Sequence, residues 1–327
     1  MSKFANAFSG LSGGNSETLS DYVKIDWDKV NQEQVDLFGT QDKARSRVGI
    51  ISGITDLGIQ EVENGHKKSE VAPEDEADFI EKNPTNWFED FINPKTKQVE
   101  RHVFWPQKPQ RAVAITVDYP QFEYDWGGEI GKKPLRFLLN GEFIPKGGKG
   151  SDVVVGRTYD LKETTKDFAP RWSLATNSLL YKLAVATEVI KAGEPFTKAE
   201  IGKLIGKPAL FEARLWMDGG YKQEKITFKG EVPEGMAVPD FDESILYFIT
   251  LDGENDADHV KQLRRSVRNT IRRSVSYADS KLKEQFGDVV EGNYKTNTSE
   301  PVQDVPLDET VGIAEVPKTI DPNDPPF

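Results

Sequence analysis

The chain reads as an α+β protein. It has a mostly antiparallel sheet core over residues 21–258, a C-terminal amphipathic basic helix over 259–286, and a disordered acidic tail over 287–327. Three observations predict this. β-branched and alternating segments, punctuated by glycine and proline, recur between residues 48 and 251. Apolar residues then recur at steps of three and four from Val260 to Phe286. After Gly287 all periodicity stops and proline, threonine and acidic residues take over.

Residues 1–20, rich in Ser, Gly and Asn, form a flexible arm that carries Phe4 and Phe8. A short helix is expected within Tyr22–Phe38. Val48 to Ile59 is a buried strand whose glycines at 49, 53 and 58 allow bulges or close backbone approach. The polar stretch from there to about residue 100 reads as a surface excursion. Arg111–Tyr119 is a strand that Pro120 should end. Asn140-Gly141 predicts a turn between two apolar segments.

Apolar spacing from Asn177 to Lys191, with Gly193 beyond, predicts a helix with a glycine stop. Thr197-Lys-Ala-Glu200 is a capping box opening a short helix. Ala209–Met217, Gly219-Gly220 and Tyr221–Phe228 form a hairpin, followed by a strand in Ile245–Leu251.

A net charge of -12 argues against a simple polyanion binder, yet the charge is uneven. Residues 287–327 carry nine acidic and two basic side chains, and residues 61–90 carry ten and three. The remainder is slightly positive. No cysteine is present, which excludes disulfides and thiolate chemistry and fits a reducing compartment. With no apolar h-region after Met1 and no membrane-length apolar run, a soluble cytoplasmic protein without membrane contact is expected.

Two constellations point to single-stranded nucleic acid. The 259–286 helix sets Lys261, Arg264, Arg265, Arg268, Arg272 and Arg273 away from its apolar stripe. Residues 261, 265, 268 and 272 share one face about 17 Å long. Arginine is the better phosphate fork. A solvated face, or one matched by the acids of 61–90, is the competing explanation. Aromatics also lie beside cations: Arg101, Phe104, Trp105, Lys108 and Arg111 in one run, then Arg157 with Tyr159, and Arg171 with Trp172. Rings of this kind stack bases while cations take phosphates; core packing is the alternative for each.

Catalytic signatures are absent. Asp118, Glu123 and Asp125 could hold Mg2+, but Asp118 and Asp125 alternate faces on one strand. Lys146-Gly-Gly-Lys-Gly lacks the Walker order, and His66, His102 and His259 show no ligand spacing. No cofactor and no metal are expected.

The last residues, Asp321-Pro-Asn-Asp324-Pro-Pro326-Phe327, resemble the acidic, phenylalanine-ended terminus of bacterial single-stranded DNA-binding proteins and of their phage counterparts. Ile205-Gly-Lys-Pro-Ala, Gly219-Gly-Tyr and Lys225-Ile are similar to the strand-turn-strand of some phage OB-like binding proteins. The resemblance implies an elaborated OB-like core, or the different fold of the single-stranded DNA-binding transcription cofactors of N4-like phages. It implies a tail in which Asp321, Asp324, Pro326 and Phe327 recruit replication, recombination or RNA polymerase proteins. The expected function is non-catalytic, sequence-nonspecific single-stranded DNA binding, with homo-oligomers allowed. The alternative is a virion or assembly protein whose basic helix packs on another subunit.

Overall fold

The computed structural model describes residues 26–127, 131–147, 153–154 and 156–286. The flexible arm, the acidic tail and the tail residues Asp321, Asp324, Pro326 and Phe327 lie outside the described residues. The architecture is α+β around a mostly antiparallel sheet.

The first helix, α1 (Trp27–Phe38), starts where the Asp26 side chain accepts from the Lys29 amide and stops at Gly39 in the left-handed region. Strand β1 (Arg45–Gln60) follows. A small three-stranded sheet comes next, from β2 (Gly65–Lys68), α2 (Glu76–Lys82), β3 (Trp87–Ile92) and β4 (Val99–Trp105), in the order β2-β4-β3. The expected surface excursion is therefore a folded module. Its apolar residues fall in adjacent pairs or runs, Trp87-Phe88, Phe91-Ile92 and Val103-Phe104-Trp105, so neither strand shows the alternation that marks a half-buried strand.

The chain then returns as β5 (Gln110–Asp125), β6 (Lys132–Leu138) and β7 (Thr158–Asp160). The short pair β8 (Glu163–Thr164) and β9 (Ser173–Leu174) precedes α3 (Leu179–Ala186), which is shorter than its apolar spacing predicts. The hairpin β10 (Pro208–Asp218) and β11 (Tyr221–Gly230) and strand β12 (Tyr247–Ile249) complete the seven-stranded sheet, whose main order is β11-β10-β1-β5-β6. β12 runs parallel to β1 at Gly53–Thr55, and β7 lies beside β5 at Ala112–Ala114. One backbone bond, Asn140 N–H to the Ile226 carbonyl at 2.9 Å, links the end of β6 towards β11, so the sheet is strongly curled.

Both faces of the sheet are covered. Residues Val113, Ile115 and Val117 join Val35, Phe38, Leu183 and Phe211 on one side. Ala112, Ala114 and Leu138 join Val260, Leu263, Val267 and Ile271 on the other. This explains why β1 is buried almost continuously from Val48 to Gly58.

Three local expectations are corrected. Pro120 does not end its strand: it sits where the β5–β6 register shifts between Tyr119 and Glu123, beyond the β1 pairing, so no ladder donor is needed there. Asn140-Gly141 does not close a hairpin. Gly141 lies against the Thr158 carbonyl, where a Cβ would fall 1.8 Å from the oxygen, and Phe143 bridges to Thr158.

Third, the 259–286 segment is not one helix but part of three: α4 (Ala257–Lys261), α5 (Arg265–Arg272) and α6 (Lys281–Phe286). Its stripe is buried at Val260, Leu263, Val267, Ile271, Leu282 and Phe286, while Val275 is exposed. The helix breaks at Arg264, whose backbone is extended, and again where Val275 N–H donates to the Ile59 carbonyl. Among the described residues, no helix is long and apolar enough to cross a membrane.

Candidate nucleic-acid interface

The β10–β11 hairpin follows from strict alternation on both sides of a two-glycine turn. Ala209, Phe211, Ala213 and Leu215 are buried, while Leu210, Glu212, Arg214 and Trp216 face outward. Gly219 and Gly220 both have positive φ, +59° and +86°, which is the geometry that matches strand twist in a two-residue turn. The register then sets Trp216 opposite Gln223, Arg214 opposite Lys225 and Glu212 opposite Thr227.

On this outward face the Arg214 guanidinium carbon stands 4.5 Å from the centroid of the Trp216 ring. A cation so placed is held by the ring quadrupole. Arg214 Nη2 donates to the Gln41 carbonyl at 3.4 Å, but its Nε is buried with no acceptor among the described residues. Lys225 is exposed beside it, and Lys229 Nζ lies 3.0 Å from Glu212. The strip thus combines one half-buried indole, three cations and two carboxylates, Glu212 paired with Lys229 and Asp218 exposed at the turn end of β10. The arrangement can stack a planar ring and neutralise phosphate.

The inner face of the same hairpin is rigidly charged. Glu224, 1% exposed in its side chain, accepts from Arg157 at 2.5 Å and from Arg264 at 2.7 Å. Burial pushes this carboxyl up, but the Arg264 and Arg157 guanidinium groups outweigh it and hold it at about 2. Lys222 on the same face donates to Gln34 Oε1 at 2.6 Å, and burial lowers its ammonium to about 8.

The residues expected from sequence are dispersed. Arg157 and Arg264 are spent on Glu224, and Tyr159 is 3% exposed with its hydroxyl donating to the Asn140 carbonyl. None of the three presents itself to a ligand, because each is worth more inside the core than on the surface. Arg111 forks the Asp56 carboxylate and reaches Asp252 at 3.1 Å. Arg101 grips Glu76 and Asp90, bonds that raise its already high pKa.

In the C-terminal helices, Lys261 pairs with Asp258 at 3.2 Å in α4, while Arg265, Arg268 and Arg272 belong to α5. The single basic line across 261–272 is therefore interrupted. Arg268 donates to the Leu263 carbonyl, Arg272 lies 5.6 Å over the Phe286 ring, and Arg273 donates to the carbonyls of Lys146 and Gly147.

Phe104 joins a row of rings on the small sheet, whereas Trp105 faces the other way over Gly65. Lys108 is exposed in the loop before β5. Arg171 and Trp172 are exposed, the latter by 60%, between β8 and β9.

Sequence reasoning missed Arg214, Trp216, Lys225 and Lys229. The signal was present: the hairpin was legible, and reading every second residue outward from the Gly-Gly turn collects these side chains. Asp118, considered for metal binding, has both oxygens engaged by Arg136 at 2.8 Å. Among the described residues, no group of three or more His, Asp or Glu side chains is placed to hold a metal ion. No family model, no curated protein and no solved structure matches the chain.

Proposed function

We propose that the chain binds single-stranded DNA without reading its sequence, through the outward face of the β10–β11 hairpin. The observation that carries this is the Arg214–Trp216 stack flanked by Lys225 and Lys229. Trp216 stacks a base, and the three cations track the backbone, the combination that holds single strands in general. Exposed Trp172 with Arg171 supplies a second ring, and Lys108 a further phosphate contact. The protein acts without catalysis in the host cytoplasm, in replication, recombination or early transcription. Its acidic tail, ending in Phe327, competes for the basic strip when DNA is absent and recruits protein partners when DNA is bound.

Fluorescence-anisotropy titration with single- and double-stranded oligonucleotides at two salt concentrations tests the reading. Tighter, salt-sensitive binding to single strands, weakened by Trp216→Ala, is the expected result. Equal, weak and salt-insensitive binding to both overturns it.

A further inference from the structure

A small cleft opens where the sheet meets the turn between α4 and α5. Arg136, Arg264 and His259 line it, with Tyr247 beside them, and no acidic side chain does. The acids of α4 are engaged elsewhere: Asp256 accepts from the Asp258 and His259 amides, and Asp258 pairs with Lys261.

Three donors at this cleft are not used by the fold. Arg136 is nine-tenths buried, its side chain 10% exposed. Its Nε and Nη2 fork Asp118, and Nη2 donates again to the Ile245 carbonyl at 3.1 Å. Both hydrogens of Nη1 are left with no acceptor among the described residues, although buried donors are as a rule satisfied. Thr55, 2% exposed, also lines the cleft, and its hydroxyl makes no hydrogen bond among the described residues. Gln262 is exposed, and its side-chain amide is likewise unused among them. The neighbouring Thr116 and Tyr247 hydroxyls, by contrast, bond each other at 2.6 Å.

Unused donors on a positive, acid-free wall suit an anion. The space is narrow, about 10 Å³, which admits one oxygen-sized atom. Because Thr55 is buried and Gln262 exposed, the donors lie at different depths, so a ligand that satisfies both needs more than one acceptor atom. That favours an oxyanion over a halide, and the guanidinium favours phosphate.

We infer that this cleft binds a phosphate-type oxyanion. One oxygen is taken by Arg136 Nη1 and the Thr55 hydroxyl at the floor, and another by Gln262 at the rim.

Calorimetric titration of the full chain with inorganic phosphate, at constant ionic strength, tests this. Saturable binding with a Kd below about 1 mM is expected. Thr55→Val should weaken it about fivefold without lowering the unfolding midpoint, since that hydroxyl serves no bond in the fold. Gln262→Glu, at an exposed position, should weaken it about tenfold or more by setting a carboxylate at the rim. Tighter binding of a 5′-phosphorylated dinucleotide than of inorganic phosphate would assign the site to a strand end, and the reverse to free phosphate. No saturable binding overturns the inference. So does binding that both variants leave unchanged, or chloride that binds as tightly as phosphate. Trp216→Ala should leave phosphate binding unchanged, which separates failure here from failure of the DNA-binding proposal.

Discussion

Arg264 reaches 40 residues back along the chain to place its guanidinium 2.7 Å from Glu224, which Arg157 also holds. One buried carboxylate thus ties the break between α4 and α5 to the inner face of β11. Glu224→Gln leaves two largely buried guanidinium groups without their counter-charge. A loss of about 3–5 kcal/mol in urea-unfolding free energy is expected.

Acid sensitivity follows from the same pair. The folded pKa of Glu224, about 2, lies below the ordinary value of 4.5, so its stabilisation is complete above 4.5 and is lost as pH falls through about 2. Urea melts at stepped pH should show this acid limb, and Glu224→Gln should remove its share. Lys222 shifts stability in the same direction, at higher pH, because burial penalises its charged form. Its folded pKa, about 8, is below 10.5, so stability rises with pH between those values, and Lys222→Met should flatten that rise.

Trp216→Ala should cost about 1–3 kcal/mol in affinity for a single-stranded oligonucleotide, with little change in thermal stability, since the ring lies on the outward face. Lys225→Ala should instead reduce the slope of log affinity against log salt by about 0.7. Anisotropy titrations at several salt concentrations separate the two effects.

Asp118 is fully buried and its Arg136 partner nearly so, with Arg136 also 5.2 Å from the Tyr247 ring centroid. Asp118→Asn should destabilise the fold by about 3–5 kcal/mol by stranding the arginine. Chemical denaturation measures it.

Gly53 leaves room for Tyr247, whose ring would stand 2.1 Å from an added Cβ and whose hydroxyl bonds Thr116 at 2.6 Å. Gly53→Ala should therefore cost about 1–3 kcal/mol or more, through displacement of Tyr247 from the β12–β1 junction. A calorimetric melt should show the lowered midpoint.

Local pattern made much of this protein legible. Alternation around Gly219-Gly220 defined the β10–β11 hairpin, and Thr197 and Glu200 do cap each other reciprocally at the start of a 3-10 turn. The apolar stripe of 259–286 correctly marked the positions that seal one face of the sheet, apart from Val275 and Ala278, which are exposed. The small module of residues 65–105 was hidden because its strands are short and set apolar residues side by side, as in Trp87-Phe88 and Phe104-Trp105, so no period of two can be read.

The sequence by itself determined the fold class, the hairpin and which helical positions turn inward, because these depend on neighbours two to four residues apart. Only the tertiary structure decided which cations remain available. Whether Arg264 meets phosphate or Glu224 depends on a partner 40 residues away, and desolvation at that site makes the internal pair compulsory once it forms. The same distance effect left Arg214 and Trp216, which alternation alone turns outward, as the better candidates for binding.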